Sequence, residues 1–415
     1  MEKNTMLKRR TFLATTALVA SVGLPSFAQA EVVKIGVLAP VSGPAAADGQ
    51  EMVNGAQLAI DQLNEGGGVG DYTFELVVGD AADQSAAAVA TATERLLSDR
   101  AMGAIVAGYA SGSNFEIEMM SEMEMIYLIS ANAAQTRDII ADDPDAFPTV
   151  WSLSPSFDAY NTGVLPVIEQ LIEDGKVSVE EKSLALISSD IPYSKTIADG
   201  LVESFESAGW EIKVNDLVPF GEIGDWRGFL AQVRQDPPAV VINTDYLPGN
   251  AAAFVSQFME QPTDSLVFIQ YAPSVPEFLD LTAGESSGIL YNMLGAPLPG
   301  NASERAAQVV GDYEAAYGST PGVYGPMLYE SVMLYADALE AVGNPSDRVA
   351  IGEWIGASST DTAIGKLEFD PATHLAVQGP EHVPLQFYQI QDGKRVLFSP
   401  EAYANGDFVT SPWME

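Results

Sequence analysis

Residues 32–78 read VVKIGVLAPVSGPAAADGQEMVNGAQLAIDQLNEGGGVGDYTFELVV. Val32 to Leu38 is a short apolar run, which predicts a buried strand. From Gln50 to Asn64 the period changes. Met52, Val53, Ala56, Ala59, Ile60 and Leu63 recur at helical spacing and fall on one face. Gly66-Gly67-Gly68 stops that helix, and Tyr72 to Val78 predicts the next strand. Two strands joined by a covering helix form the unit from which parallel sheets are built.

The alternation continues in both directions of reading. A helix over Gln84 to Leu97, a strand over Ala104 to Ala107, a helix near Ser113 to Met123 and a strand over Ile126 to Ile129 follow. The pattern restarts after Pro155. Helices are expected over Tyr160 to Glu173, Ser194 to Ser207, Trp226 to Arg234 and Asn250 to Met259. Strands are expected over Ser183 to Ile187, Ile212 to Val218, Ala239 to Ile242, Leu266 to Ile269 and Ile289 to Asn292. This is an α/β chain with doubly wound parallel sheets. The last part differs. Helices over Ser303 to Ala316 and Met327 to Ala341 stand in a row, and Leu385 to Phe398 predicts a hairpin turning at Asp392-Gly393. Pro371 to Pro384 holds three prolines and both histidines and reads as an ordered surface loop.

Residues 1–30 read as an export address. Lys8, Arg9 and Arg10 precede a short apolar run from Phe12 to Leu24, and Ala28-Gln29-Ala30 is a small-x-small cleavage pattern. The apolar run falls short of the ~20 residues that span a bilayer. The Arg9-Arg10 pair leaves a twin-arginine route and an ordinary signal both open. Cleavage near Ala30 leaves enough chain for two domains and points to the periplasm. The whole chain carries a net charge of −38, and the signal holds four of its basic residues, so the exported part is more acidic still. Such a surface repels phosphate backbones, which argues against nucleic acid as a partner. There is no cysteine, hence no disulfide and no lipid-attachment site.

The catalytic inventory is thin. His374 and His382 lie in one loop, without the closely spaced ligands that zinc requires. Ser111 stands in Gly108-Tyr109-Ala110-Ser111-Gly112, which is not a nucleophile elbow. Gly66 to Gly70 follows a helix, not a strand, so it is no dinucleotide loop, and no Walker motif exists. No catalytic residue, metal or cofactor is therefore assigned.

The informative places are the strand ends, where ligands bind open parallel sheets. One is Val106 to Ser113, whose glycines permit close backbone approach. Ser111 and Ser113 there can cap a helix or hold a ligand. The other is Ile129-Ser130-Ala131-Asn132-Ala133-Ala134, in which Asn132 is either a ligand-facing polar group or a turn residue. Tyr193, Tyr246 and Tyr271 follow three further strands and offer apolar rings with hydroxyl handles.

With these segments in view, the chain resembles the leucine/isoleucine/valine-binding and related type I periplasmic binding proteins of ABC importers. The likeness rests on Ile35 to Pro44, Gly55-Ala56, Asp61 to Gly68, Asp80-Ala81-Ala82-Asp83 and the ending Tyr388 to Trp413. It implies two lobes, 31–153 with 294–366 and 154–293 with 367–415. Three crossovers would join them, near Trp151 to Pro155, Tyr291 to Pro297 and Ile364 to Asp370. It also implies a small organic ligand shut between the lobes, an ABC permease and its ATPase as partners, and a monomer. The family's ligand site falls on Ser111, Gly112, Ser113, Asn132, Ala133 and Ala134, on Tyr193 and Tyr246, and on Tyr324; Tyr109 and Tyr271, at strand ends, stand beside them as ligand-binding candidates. Two departures stand out. Ala134 occupies a position where amino-acid binders carry Thr or Ser. No acid stands near Tyr271 or Ala272 for an ammonium group, though Asp48, in the loop after the first strand, could substitute. The resemblance thus leaves an amino acid, an amide, a carboxylate and an aromatic acid open as ligands. A binding protein serving a sensor, and an exported hydrolase, are the rival readings.

Overall fold

The computed structural model describes residues 30–109, 111, 114–132 and 134–414. The proposed export signal and Gly112, Ser113 and Ala133 lie outside them. The chain first builds a wholly parallel five-stranded sheet. It runs β1 (Glu31–Ala39), α1 (Ala46–Glu65), β2 (Tyr72–Asp80), α2 (Ala86–Leu97), β3 (Met102–Ala107), α3 (Phe115–Glu122), β4 (Ile126–Ile129), α4 (Ala134–Asp142) and β5 (Val150–Ser152). The strand order is β2-β1-β3-β4-β5. Every residue of β3, β4 and β5 is buried, as expected of strands covered on both faces.

The second sheet follows after a first crossover. It runs α5 (Asp158–Glu173), β6 (Ser183–Ser189), α6 (Pro192–Ser207), β7 (Glu211–Val218), α7 (Arg227–Gln235), β8 (Val240–Asn243), α8 (Pro248–Met259), β9 (Leu266–Ile269), α9 (Pro276–Thr282) and β10 (Leu290–Leu294). The chain then returns to the first sheet with α10 (Glu304–Tyr317), α11 (Tyr324–Val342) and α12 (Arg348–Gly356). A small antiparallel pair, β11 (Thr360–Thr362) and β12 (Gly365–Leu367), precedes the last crossover. The hairpin β13 (Leu385–Gln391) and β14 (Lys394–Ser399) closes the second sheet in the order β14-β13-β10-β9-β8-β6-β7. β10, β13 and β14 pair antiparallel, and the others are parallel. The result is two sheet-centred lobes joined by three crossovers.

Return of the chain to the first lobe is sealed by close backbone contact. A Cβ on Gly55 of α1 would lie 2.0 Å from the Gly325 carbonyl of α11, so only glycine lets these helices touch. Behind them Arg305 donates from Nε and Nη2 to the buried Glu330 carboxylate, both at 2.9 Å.

Three sequence expectations need correction. The stretch from Ala134 onward continues as helix α4, and α9 and α12 are also helices that no long apolar period announces. Asp48 sits in the first turn of α1, not in a loop, because the helix begins at Ala46. Residues 371–384 are not a surface loop carrying two exposed histidines. Leu375, Ala376 and Val383 are buried, and His374 is only 6% exposed. Its ring stacks on Trp151 at 4.0 Å, with Nδ1 3.1 Å from the Val150 carbonyl. Ser152 at the end of β5 accepts this segment as a partner: its N–H donates to the His374 carbonyl at 2.9 Å. Its carbonyl accepts from Ala376 at 2.9 Å. The first and third crossovers are therefore laced together. Burial of the backbone demands such pairing, and it draws the histidine inward.

Candidate functional site

The carboxyl ends of the two sheets open onto one cavity of about 190 Å³. Asp48, Gln84, Tyr109, Ser111, Asn132 and Ala134 reach it from the ends of β1 to β4. Tyr193, Tyr246 and Tyr271 reach it from the ends of β6, β8 and β9, and Tyr324 from the start of α11. Every described residue that the sequence singled out as a ligand contact thus lines this one space.

The aromatic wall is continuous. Ring centroids lie 5.4 Å apart for Tyr109–Tyr324 and 6.1 Å for Tyr324–Tyr271. They lie 6.4 Å apart for Tyr271–Tyr246, 5.6 Å for Tyr246–Tyr193 and 5.1 Å for Tyr193–Phe157. Most of these contacts are edge-to-face, the arrangement ring quadrupoles favour. Burial holds the phenol pKa values of Tyr109, Tyr193, Tyr271 and Tyr324 well above the usual value, so all four are neutral hydroxyls. The hydroxyl of Tyr109 is buried without a hydrogen-bond partner among the described residues.

Among the described residues Asp48 is the one ionisable acid or base on the wall. It is 5% exposed and accepts from the Tyr271 hydroxyl at 2.7 Å, a bond that joins the lobes. Desolvation pushes its pKa up to about 7, against the lowering effect of that bond, with Glu277 adding a smaller upward push. The acid that is missing near Tyr271 in the sequence is thus delivered to Tyr271 from the other lobe. No lysine, arginine or histidine lines the cavity among the described residues.

The small-residue loops are more structural than their sequence suggested. The Ser111 N–H and hydroxyl both donate to Glu116, each at 2.5 Å, and the hydroxyl accepts from Asn114 N–H at 3.1 Å. These bonds fold the turn that leads into α3 and tie it to Glu116 in the helix's first turn. Asn132 donates from Nδ2 to Ser152 Oγ at 2.7 Å and to the Ser154 carbonyl at 3.1 Å, tying the β4 loop to the first crossover. Its Oδ1 is buried without a partner among the described residues. Ser111 has no histidine beside it: His374 lies at the crossover and His382 pairs with Glu368. Among the described residues no three acidic or histidine side chains cluster to hold a metal.

Sequence reading missed several wall residues. Gln84, Thr136, Phe157, Tyr160, Met293 and Val323 also line the cavity. Phe157 and Tyr160 could have been found, because they follow the first crossover, where the lobes must meet. Tyr160 is already engaged, its hydroxyl accepting from Leu294 N–H at 3.0 Å. The first turns of α4 and α6 also face the cavity through Ala134, Gln135 and Tyr193. Free N–H groups and the helix dipole there favour a carbonyl or carboxylate oxygen.

Two lobes around a wall of neutral rings and helix starts form the architecture of a solute receptor. The chain belongs to the periplasmic binding protein family, whose profile matches residues 32–394. It is 22% identical over 391 residues to the Leu/Ile/Val-binding protein BraC3 of Rhizobium johnstonii, covering 92% of this chain and 98% of that protein. Among solved structures, one described as a branched-chain amino acid ABC transporter from Silicibacter pomeroyi superposes with a TM-score of 0.82 at 27% identity. That match covers 92% of this chain and all of the other. A solute-binding protein of R. palustris in complex with benzoate superposes with a TM-score of 0.71 at 18% identity, covering 91% and 99% of the two chains. The family is one of extracytoplasmic proteins that bind small solutes and work with ABC permeases. Among the described residues no helix is long and apolar enough to cross a membrane.

Proposed function

We propose that residues 1–30 direct the chain to the periplasm. There, as a monomer without catalytic activity, it captures one compact solute and delivers it to a cognate permease and ATPase. Tyr109, Ser111, Gly112, Ser113, Asn132, Ala133 and Ala134 form the first-lobe side of the contact. Tyr193, Tyr246 and Tyr271 form the second, and Tyr324 backs the first-lobe wall. The lobes divide as 31–153 with 294–366 and 154–293 with 367–415.

The observation that carries this reading is the convergence of both sheets' strand ends on one small cavity. At about 190 Å³ it lies below the usual span of roughly 300–1,000 Å³ for ligand pockets, which suits a compact guest. Its chemistry narrows the class. Asp48 faces the space with no cation opposite, so the guest presents an ammonium or amide N–H there. Its carbonyl or carboxylate oxygen meets the first turns of α4 and α6. An amino acid or a small amide fits this polarity. A plain aromatic acid, of the kind the R. palustris protein holds, would set a carboxylate in a cavity whose only charge is negative.

A thermal-shift screen of amino acids, amides, ureas and aromatic acids against residues 31–415 tests this. A true ligand at a hundred times its Kd adds about 2.7 kcal/mol. Hits whose shift is lost in Tyr193→Ala, and which therefore bind in this cavity, should carry an N–H donor. Stabilisation only by acids that lack one would remove Asp48 from the contact set.

A further inference from the structure

A second cavity, of about 340 Å³, lies beside the first. Met293 and Val323 line both and form the partition between them. Its walls come from both lobes. On one side stand α10 and the loop from Thr320 to Val323. α10 is fixed to α1 of the first lobe through Tyr313 and Asp312, which bond Asn54 at 3.2 Å and Gln62 at 2.9 Å. On the other side stand Tyr291 of β10, Tyr388 of β13 and Arg395 of β14. Tyr291 and Tyr388 are cross-strand partners whose rings stack with centroids 4.9 Å apart and planes 11° apart.

The chemistry is opposite to that of the first cavity. Arg395 donates from Nε to the Pro273 carbonyl and from Nη2 to the Val275 carbonyl, both at 2.8 Å. Those bonds explain why the guanidinium is fixed. They leave Nη1 without an acceptor among the described residues. Ser274 borders the same space, is 5% exposed, and its hydroxyl has no hydrogen-bond partner among the described residues. Among the described residues no acidic side chain lines the cavity. Glu51 stands behind the Gly322 wall, where its Oε1 accepts from Gly325 N–H at 2.7 Å.

A pre-oriented guanidinium, an unpaired buried hydroxyl and two stacked rings form a recognition set for a planar anion. We propose that this second cavity is an accessory binding site for a small planar carboxylate. The carboxylate meets Arg395 and Ser274, and the flat body lies along Tyr291 and Tyr388. Because the two walls belong to different lobes, a molecule there also fixes the lobes relative to each other, which couples this site to closure of the first.

Calorimetric titration of residues 31–415 with benzoate as probe tests the proposal. Wild type should bind with a Kd of about 1 mM or tighter, the weakest class with a useful free energy. Arg395→Gln should weaken binding at least tenfold. Ala307→Trp, placed on the exposed face of α10 that borders the cavity, should fill the space and abolish binding. Tyr193→Ala, in the first cavity, should leave the benzoate Kd within twofold. If Arg395→Gln fails to fold by circular dichroism, Ala307→Trp decides. Absence of heat with wild type at roughly 10 mM benzoate overturns the proposal. Binding lost in Tyr193→Ala and kept in Ala307→Trp overturns it too, because the probe then sits in the first cavity.

Discussion

Asp48 makes closure of the empty lobes sensitive to pH. In the closed arrangement its carboxyl pKa is pushed up to about 7 by desolvation, and Tyr271 donates to it across the cleft. Glu277 adds repulsion, and Glu51 lies one turn further along α1, buried and also pushed up to about 7. Tyr109, Tyr246 and Tyr324 face Asp48 as neutral phenols. When the lobes part, water returns to Asp48 and its pKa falls toward the usual aspartate value of about 4. The closed form therefore binds the proton more tightly, and acid favours closing. With pKa values of about 7 closed and about 4 open, the closing equilibrium gains about tenfold between pH 8 and pH 6. That is about 1.4 kcal/mol. The gain is absent above about pH 8 and is complete once the pH falls below the open-state value. The measurement is the distance between fluorophores placed one on each lobe of ligand-free protein, compared at pH 6 and pH 8. Asp48→Asn, neutral at both, should show no change. An equal distance distribution at both pH values, or full pH dependence kept in Asp48→Asn, would refute the reasoning.

Three further outcomes are expected. Tyr193→Ala should weaken solute binding by about 1–3 kcal/mol, as truncation of buried aromatic anchors does, with the urea midpoint little changed. An unaltered affinity by calorimetry would take Tyr193 out of the contact set. Gly55→Ala should cost about 1–3 kcal/mol of stability, because the new Cβ meets the Gly325 carbonyl at 2.0 Å and forces α1 and α11 apart. A urea midpoint equal to wild type would show that the helices slide freely. Arg305→Gln should cost about 3–5 kcal/mol, because it strands the Glu330 carboxylate, whose side chain is only 4% exposed. The loss should shrink on changing both residues together to Leu and Met, and urea unfolding of the double variant checks that.

The parts of the fold that the sequence made legible are those in which burial imposes a period. α1 shows a full helical stripe from Met52 to Leu63; β3, β4 and β9 are unbroken apolar runs, and β8 is one up to its last residue, Asn243. Strand ends, not side-chain chemistry, led to Tyr193, Tyr246 and Tyr271. Elements that escaped are short or rest on contacts distant in sequence. α12 has nine residues and is held partly by Gly352, where a Cβ would lie 2.1 Å from the Pro148 carbonyl. α4 opens with Ala134-Gln135-Thr136-Arg137, which carries no apolar stripe. His374 reads as loop because its partner, Trp151, lies 223 positions earlier. Asp48 is one acid among 57 in the sequence, and only the meeting of α1 with Tyr271 distinguishes it.

The backbone pairing of Ser152 with the segment around His374 constrains how the molecule can move. Bridged at this one residue by two backbone hydrogen bonds, the two crossovers act as a short strap. A strap flexes readily across its thin dimension, but shearing or twisting it breaks the bonds that make it flat. The halves should accordingly swing like a cupboard door on a strip hinge, with little corkscrew rotation.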